Sequence, residues 1–474
     1  LSGEDPAGGP LTPLPRLVVA APASGHGKTT VATGLMAALR AAGHEVSGHK
    51  VGPDYIDPGY HALATGRPGR NLDAHLHGEA LLAPLLLHGA RTPRPADIAV
   101  VEGVMGLYDG RIGGRGFAST AHVATLLDAP VVLVVDISHA SRSIAAVVAG
   151  MAAFDRRVRL AGVVLNKAGS DRHAGEVVSA LEEIGVPVLG TLRRDDGIAA
   201  PSRHLGLVPA QERSDAAASL DRLAARIAER VDLAAVVRVA RSAPPLRAAA
   251  WSPEAALAGA GAPAPGGDGT GPVVAVAGGR AFTFRYAETE ELLRAAGCRP
   301  VAFDPAADPA LPEGTAGIYL GGGFPEVHAA DLSANTAMRA ALLDAVRGGV
   351  PTVAECAGLL YLCREVDGTP MVGALDASAR MTPRLALSYH EARADRETLL
   401  APAGARVPGH EFHRTRVAAP GSGGDPAWLL GDRPDGFSAD PARTGRPTLH
   451  ASYLHTHWAG YPEAAARFAA SLSR

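Results

Sequence analysis

Short, wholly apolar runs alternate along the chain with segments whose apolar residues recur every three or four positions. In the first half the runs are RLVVAA (16–21), IAVVEG (98–103), VVLVVD (131–136) and AGVVLN (161–166). Residues apolar on both sides of the pleat predict central strands of a parallel sheet, covered by helices on both faces. After Lys28, the positions Val31, Leu35, Met36 and Leu39 fall at helical spacing, and Gly43 supplies a stop. The alternation restarts at VVAVAG (273–278), AGIYLGGG (316–323), PTVAEC (351–356) and TLHASYLH (448–455). Between the two halves, AGAGAPAPGGDGTG (258–271) follows neither period and reads as a linker. The pattern predicts an α/β chain with a disordered tail over 1–13, domains over 14–240 and 271–474, and a linker over 241–270. No internal repeat is evident.

Composition narrows the function classes. A length of 474 residues, with 47% hydrophobic and 20% charged side chains, suits a well-packed globular protein of more than one domain. The net charge of −3 gives no electrostatic reason to expect nucleic acid or an anionic membrane as partner. The three cysteines, Cys298, Cys356 and Cys363, are too few for a disulfide framework and lack metal-site spacing, which points to a reducing cytoplasm. No apolar run approaches the roughly 18–20 residues that span a bilayer. The opening LSGEDPAGGPLTPLP reads as a frayed tail and not as a signal peptide.

The stretch APASGHGKTT, directly after an apolar run, has the order of a phosphate-binding loop, although Pro22 holds the place of the usual first glycine. Backbone N–H groups of Gly25, His26, Gly27 and Lys28 would face phosphates at a helix N-terminus. Lys28 would reach the β/γ-phosphates and the Thr29 hydroxyl would bind Mg²⁺, with Thr30 completing the ATP-binding set. The competing reading is a tight turn with a surface lysine. Glu102 closes an apolar strand and Asp54 lies on a Gly/Pro-rich segment; either suits Mg²⁺, and each is also an ordinary loop acid. Asn166 and Lys167 close another strand and suit a purine edge or a strand-end turn equally well.

In the second half, PTVAECAGLLYL sets Cys356 between a strand and a helix, the context of a nucleophile elbow. The N–H of Ala357 and the glycines Gly322 and Gly323 of GGGFPE are candidate oxyanion donors. His455, in SYLHTHW, is the candidate base. The bland alternative is a core cysteine. HEFH (410–413) lacks the four-residue histidine spacing of a zinc helix and reads as a hydrogen-bonding or substrate-loop element.

Taken in order, SGHGKTT, KVGPDYIDPGYH, RNLDAHL, VEGVMGLYDG, GVVLNK, GGGFPE, AECAGLLYL, HEFH and SYLHTHW resemble the cobyrinic acid a,c-diamide synthase family, including its hydrogenobyrinic acid branch. The resemblance covers nearly the whole chain. It implies a P-loop NTPase-like synthetase domain, similar to dethiobiotin synthetase, followed by a class I (flavodoxin-like) glutamine amidotransferase domain. It implies ATP and Mg²⁺, glutamine hydrolysis at Cys356, and amidation of the a and c acetates of a corrinoid through acyl phosphates. Thr29, Asp54 and Glu102 become metal ligands by resemblance, and Tyr55, Asp57 and Tyr60 become corrinoid-contacting candidates. A cytoplasmic enzyme, with a homodimer as its oligomeric expectation, completes the picture. Two positions depart from the wider class: His457 replaces the glutamate two residues after the histidine, and Glu355 precedes the nucleophile where a small residue is usual. Sister enzymes acting on nickel sirohydrochlorin or making cobyric acid share the chemistry. A partitioning-type ATPase would leave the second domain unexplained, and Ala23 and Ser24 stand where it needs an early loop lysine.

Overall fold

The computed structural model describes residues 9–194, 202–203, 206–207, 216–261, 270–418 and 425–472. The chain forms two compact units, Leu1–Ala74 with Gly78–Trp251, and His75–His77 with Ser252–Arg474. No helix among the described residues is long and apolar enough to cross a membrane.

The first unit is built on a seven-stranded sheet. Its order is Arg70–Leu72, Val46–Val51, Ile98–Glu102, Arg16–Ala20, Val131–Asp136, Leu160–Ala168, Val188–Arg193. Every pairing is parallel. The apolar runs 16–21, 98–103, 131–136 and 161–166 are therefore inner strands, fully buried along most of their length. Helix Lys28–Ala41 follows the first of them, and its Val31, Leu35, Met36 and Leu39 face the sheet core. Helix Ala216–Arg230 packs on its other side so closely that a Cβ at Gly34 would lie 2.7 Å from Ile227.

The second unit holds two sheets. One is six-stranded, in the order Arg299–Phe303, Val273–Ala277, Thr315–Leu320, Thr352–Glu355, Leu449–Ser452, Phe437–Ala439. It is parallel except for the last pair. The other is dominated by the antiparallel pair Ser378–Arg393 and Arg406–Ala418, onto which His455–Thr456 docks. This long hairpin carries HEFH on a strand, so the hydrogen-bonding alternative holds and the substrate-loop one does not: His410 is the register partner of His455.

The segments read as tail and linker carry structure where they are described. Leu11–Thr12 pairs with Leu246–Arg247, and Pro253–Gly259 is a helix capped by the Ser252 hydroxyl. Residues 1–8 of the expected tail and 262–269 of the expected linker lie outside the described residues.

Leu35→Ala should destabilise the first unit by about 2–5 kcal/mol, because a fully buried side chain leaves a cavity. Ile184→Ala, 42% exposed, should change it by less than about 0.5 kcal/mol. Denaturant unfolding of the two variants checks the contrast.

Candidate active sites

The first site forms where parallel strands end. The loop before helix Lys28–Ala41 turns through Gly25 and Gly27, at φ 86° and 90°, a left-handed conformation that other residues adopt at a cost. The loop is clamped from a neighbouring strand. Asn166 Nδ2 donates to the His26 carbonyl at 2.9 Å, and a Cβ on Gly27 would collide with that amide at 2.3 Å. Lys167 Nζ bonds the Gly25 carbonyl at 3.0 Å and Asp136 Oδ2 at 2.6 Å. The Asp136 N–H donates to His26 Nδ1 at 2.9 Å. Burial works against the Asp136 carboxylate, but its bonds from Lys167 and Ser138 hold it at about 2. Asn166 and Lys167 thus hold the phosphate loop itself through their side chains. Lys28 Nζ bonds the carbonyls of Ala23 and Met105. Burial, and then the charge of Lys50, bring Lys28 down to about 8.

Beside the loop lies a cluster of buried charges. Lys50, from strand Val46–Val51, donates to Asp57 Oδ2 at 2.6 Å, Glu102 Oε1 at 2.9 Å and the Gly103 carbonyl at 3.0 Å. The Thr29 hydroxyl donates to Glu102 Oε1 at 2.6 Å and lies 3.2 Å from Asp57 Oδ2, so its single proton can serve either carboxylate. His61 Nε2 meets Glu102 Oε2 at 2.6 Å. Burial alone would raise Glu102, yet Lys50 and His61 keep it well below the usual carboxylate range. Asp57 is pushed the other way, by burial and by the nearby charges of Asp54 and Glu102. Asp54 sits one step back. Its Oδ1 accepts from the N–H groups of Ile56 and Asp57, closing the turn into helix Asp57–Thr65. Asp57, read as a substrate contact, is therefore the acid that joins Thr29 and Glu102, and Asp54 shapes the turn that delivers it. Tyr55 and Tyr60 are largely buried, at 7% and 8% exposure, so they offer little ring surface to a ligand. Lys50 was not singled out in the sequence; its only signal is a lysine inside the buried strand VSGHKV.

The second site surrounds Cys356. Strand Thr352–Glu355 ends in this residue at φ 47° and ψ −93°, and helix Ala357–Leu362 begins immediately after. A non-glycine residue held in so sparse a region is strained, as a nucleophile elbow requires. The Cys356 N–H donates to the Ser452 carbonyl at 2.8 Å, and the Gly358 N–H to that of Gly321 at 3.1 Å, which locks the turn against both flanking strands. Burial, then Glu326 and Glu355, raise the thiol well above its ordinary range, so it rests protonated.

His455 is buried, and its ring lies between Phe284, at 4.7 Å between centroids, and His410, stacked at 4.9 Å and 18°. Burial first, then His413, lower it to about 3, so it rests neutral. The glycine run passes directly over this ring: a Cβ on Gly322 would lie 2.6 Å from His455 Cε1. The Gly322 N–H is already given to the Phe284 carbonyl at 2.9 Å, which removes it from the oxyanion candidates and leaves Gly323 beside Ala357. His457 turns to Glu288 at 3.5 Å and packs on Tyr286 and His77. Glu355, by contrast, lies 3.9 Å from His455 Nδ1. Glu411 of HEFH bonds Arg433 and His390 at 2.6 and 2.8 Å, which ties the hairpin together. Cys298 and Cys363 are free and buried away from any such elbow.

Comparison with known proteins agrees with this division. Residues 17–208 match a family model described as CobQ/CobB/MinD/ParA nucleotide binding domain. Residues 273–462 match a CobB/CobQ-like glutamine amidotransferase domain. A protein of Thermobifida fusca named hydrogenobyrinate a,c-diamide synthase is 73% identical, covering 100% of this chain and 99% of its own. One of the same name from Streptomyces coelicolor is 55% identical over 96% of this chain and 97% of its own. A Synechococcus protein named cobyrinate a,c-diamide synthase is 42% identical over 94% and 96%.

Asn166→Ala should weaken ATP binding by about fivefold, roughly the worth of one hydrogen bond holding the loop. Gly27→Ala should weaken it more, since its φ and the Asn166 contact both resist a side chain. Calorimetric titration with ATP checks both.

Proposed function

The chain belongs to the family of hydrogenobyrinate and cobyrinate a,c-diamide synthases, and on that premise we propose that it amidates the a and c acetate carboxylates of hydrogenobyrinate, the cobalt-free corrin. It is a carbon–nitrogen ligase of cobalamin biosynthesis, with a nucleotide-binding and a glutamine amidotransferase domain. The observation that carries the choice of acceptor is identity. The relatives at 73%, 55% and 51% are named for hydrogenobyrinate, and those named for cobyrinate stand at 42% and below. The free, buried state of Cys298, Cys356 and Cys363 supports a reducing cytoplasm.

In the second unit the Cys356 sulfur attacks the glutamine carboxamide as its proton passes to His455. The N–H groups of Ala357 and Gly323 receive the oxyanion. His455 returns the proton to the leaving ammonia, and water then hydrolyses the glutamyl thioester to glutamate. In the first unit an acetate oxygen of the corrin attacks the γ-phosphorus of ATP, and ADP leaves. The resulting acyl phosphate is open to ammonia, which displaces inorganic phosphate and leaves the amide. A carboxylate resists ammonia until its oxygen becomes a good leaving group, so the nucleotide step has to come first. Lys28 neutralises charge on the transferring phosphoryl group.

Thr29, Asp57 and Glu102 fit a hard divalent cation. They are all-oxygen donors, and the three acids Asp54, Asp57 and Glu102 outnumber the two ammonium groups of Lys28 and Lys50 beside them. When bound there, Mg²⁺ supplies positive charge to the phosphate oxygens. Lys50 would then hold the two carboxylates apart and oriented. Asp54 serves by fixing the turn before Asp57.

With glutamine and Mg·ATP, hydrogenobyrinate should gain two amides by mass spectrometry, at a higher kcat/KM than cobyrinate or nickel sirohydrochlorin. No amidation of any of the three would contradict the function, and a preference for cobyrinate would contradict the acceptor. Lys28→Ala should lower the rate by about 100-fold or more from either glutamine or ammonium. Cys356→Ala should abolish only the glutamine-driven reaction.

A further inference from the structure

We propose that Glu355 is the positioning residue of the glutamine site: it orients His455 through Nδ1 and balances the charge that the ring gains from Cys356. The proposal rests on the amidotransferase reading of the second unit. The place two residues after the histidine is filled by His457, whose ring is engaged with Glu288, Tyr286 and His77. A carboxylate reaches the histidine from another direction. Strand Thr352–Glu355 pairs in parallel with Leu449–Ser452, and Glu355 is the register partner of Ser452, three residues before His455. The nucleophile's own strand thus ends beside the segment that carries the base.

Glu355 is tied to that segment through one oxygen and faces it with the other. Oε1 accepts from the Thr456 N–H at 3.3 Å and the Thr456 hydroxyl at 3.0 Å, gripping the residue next to His455. Oε2 accepts from the Tyr319 hydroxyl at 3.0 Å and lies 3.9 Å from His455 Nδ1. Nδ1 is the ring atom nearest Glu355, and on this proposal the sulfur proton goes to Nε2. Three donors directed at one carboxyl group suit its ionised, acceptor-only form. A buried carboxylate without a cation is costly, and an apolar residue would fill the same space at less expense. Its compensation arrives when His455 becomes an imidazolium. The 3.9 Å gap exceeds a hydrogen bond in the resting site, and such gaps tighten once substrate and charge are present.

Burial raises Glu355 to about 7, against the bonds from Thr456 and Tyr319. Below that pH the carboxyl takes a proton and loses its hold on an imidazolium, so the wild-type glutaminase rate should fall on the acid side of neutrality. The other groups facing this pair are Cys356 on the same turn, His410 across the ring stack, and His413 and Glu411 on the adjoining strand.

The test uses the full chain with Glu355→Gln and Glu355→Asp. Glutaminase kcat and KM are measured across pH, beside ammonium-driven amidation and thermal unfolding. Glu355→Gln should lose about 10²–10⁴-fold in kcat, the range of a disabled acid–base step, with little change in the KM for glutamine. It should lose the acid limb near neutrality, keep its ammonium-driven rate and unfolding temperature, and be partly rescued by Glu355→Asp. A Glu355→Gln enzyme within about twofold of wild type, with the acid limb intact, overturns the proposal. So does a loss shared equally by the ammonium reaction and the unfolding temperature, which marks a packing role. Glutaminase activity surviving in Cys356→Ala would instead overturn Cys356 as the nucleophile, and a wild-type chain without glutaminase activity would overturn the amidotransferase reading itself.

Discussion

Parallel pairing sends the carboxyl ends of neighbouring strands to the same edge of a sheet, and both sites depend on that constraint. In the first unit it brings the phosphate loop after Arg16–Ala20 beside Glu102, Asp136 and Asn166, which end or nearly end three other strands. In the second it aligns Cys356, the glycine run after Thr315–Leu320 and the segment after Ser452. No local motif could assemble either set, because the residues are far apart in sequence. The sheets do it by hydrogen-bond direction alone, while their apolar strands supply the stability.

Charge burial then separates the two chemistries. The first site concentrates acids around Lys50 and Thr29, with His61 on the outer oxygen of Glu102. Such a cluster is expensive to desolvate and is made tolerable by its pairing with Lys50 and His61. In the second site the reacting pair, Cys356 and His455, starts neutral. Burial raises the Cys356 thiol and lowers the His455 imidazole, so charge appears on that pair only when a proton moves from sulfur to nitrogen. One site is built to hold charge, and the other to create it briefly.

Much of this was legible in the sequence, for identifiable reasons. Inner strands such as Val131–Asp136 are apolar on both faces and stand out from any helix or loop. SGHGKTT and AECAGLLYL announce themselves because each joins a strand to a helix through residues of special conformational or chemical use. The long hairpin Ser378–Arg393 with Arg406–Ala418 stayed hidden, since its half-exposed residues follow no clean alternation. HEFH consequently read as a hydrogen-bonding or substrate-loop element, and the strand that carries it, which sets His410 against His455, was not legible. Asp54 and Asp57 are three residues apart on one turn, and only the fold decides that the first caps while the second meets Thr29. Nor does the glycine run reveal that the Gly322 N–H is spent on the Phe284 carbonyl and not on an oxyanion. Lys50 and Glu355 lie within or at the end of buried strands, where sequence pattern predicts packing and says nothing of which charges meet.

The central claim is that the nucleotide site activates a carboxylate as an acyl phosphate before ammonia arrives. It is tested most directly with hydrogenobyrinate carrying oxygen-18 in its acetate carboxylates, turned over with glutamine and ATP. Each amide formed should move one labelled oxygen into inorganic phosphate. Unlabelled phosphate, or label appearing in AMP, would contradict the account.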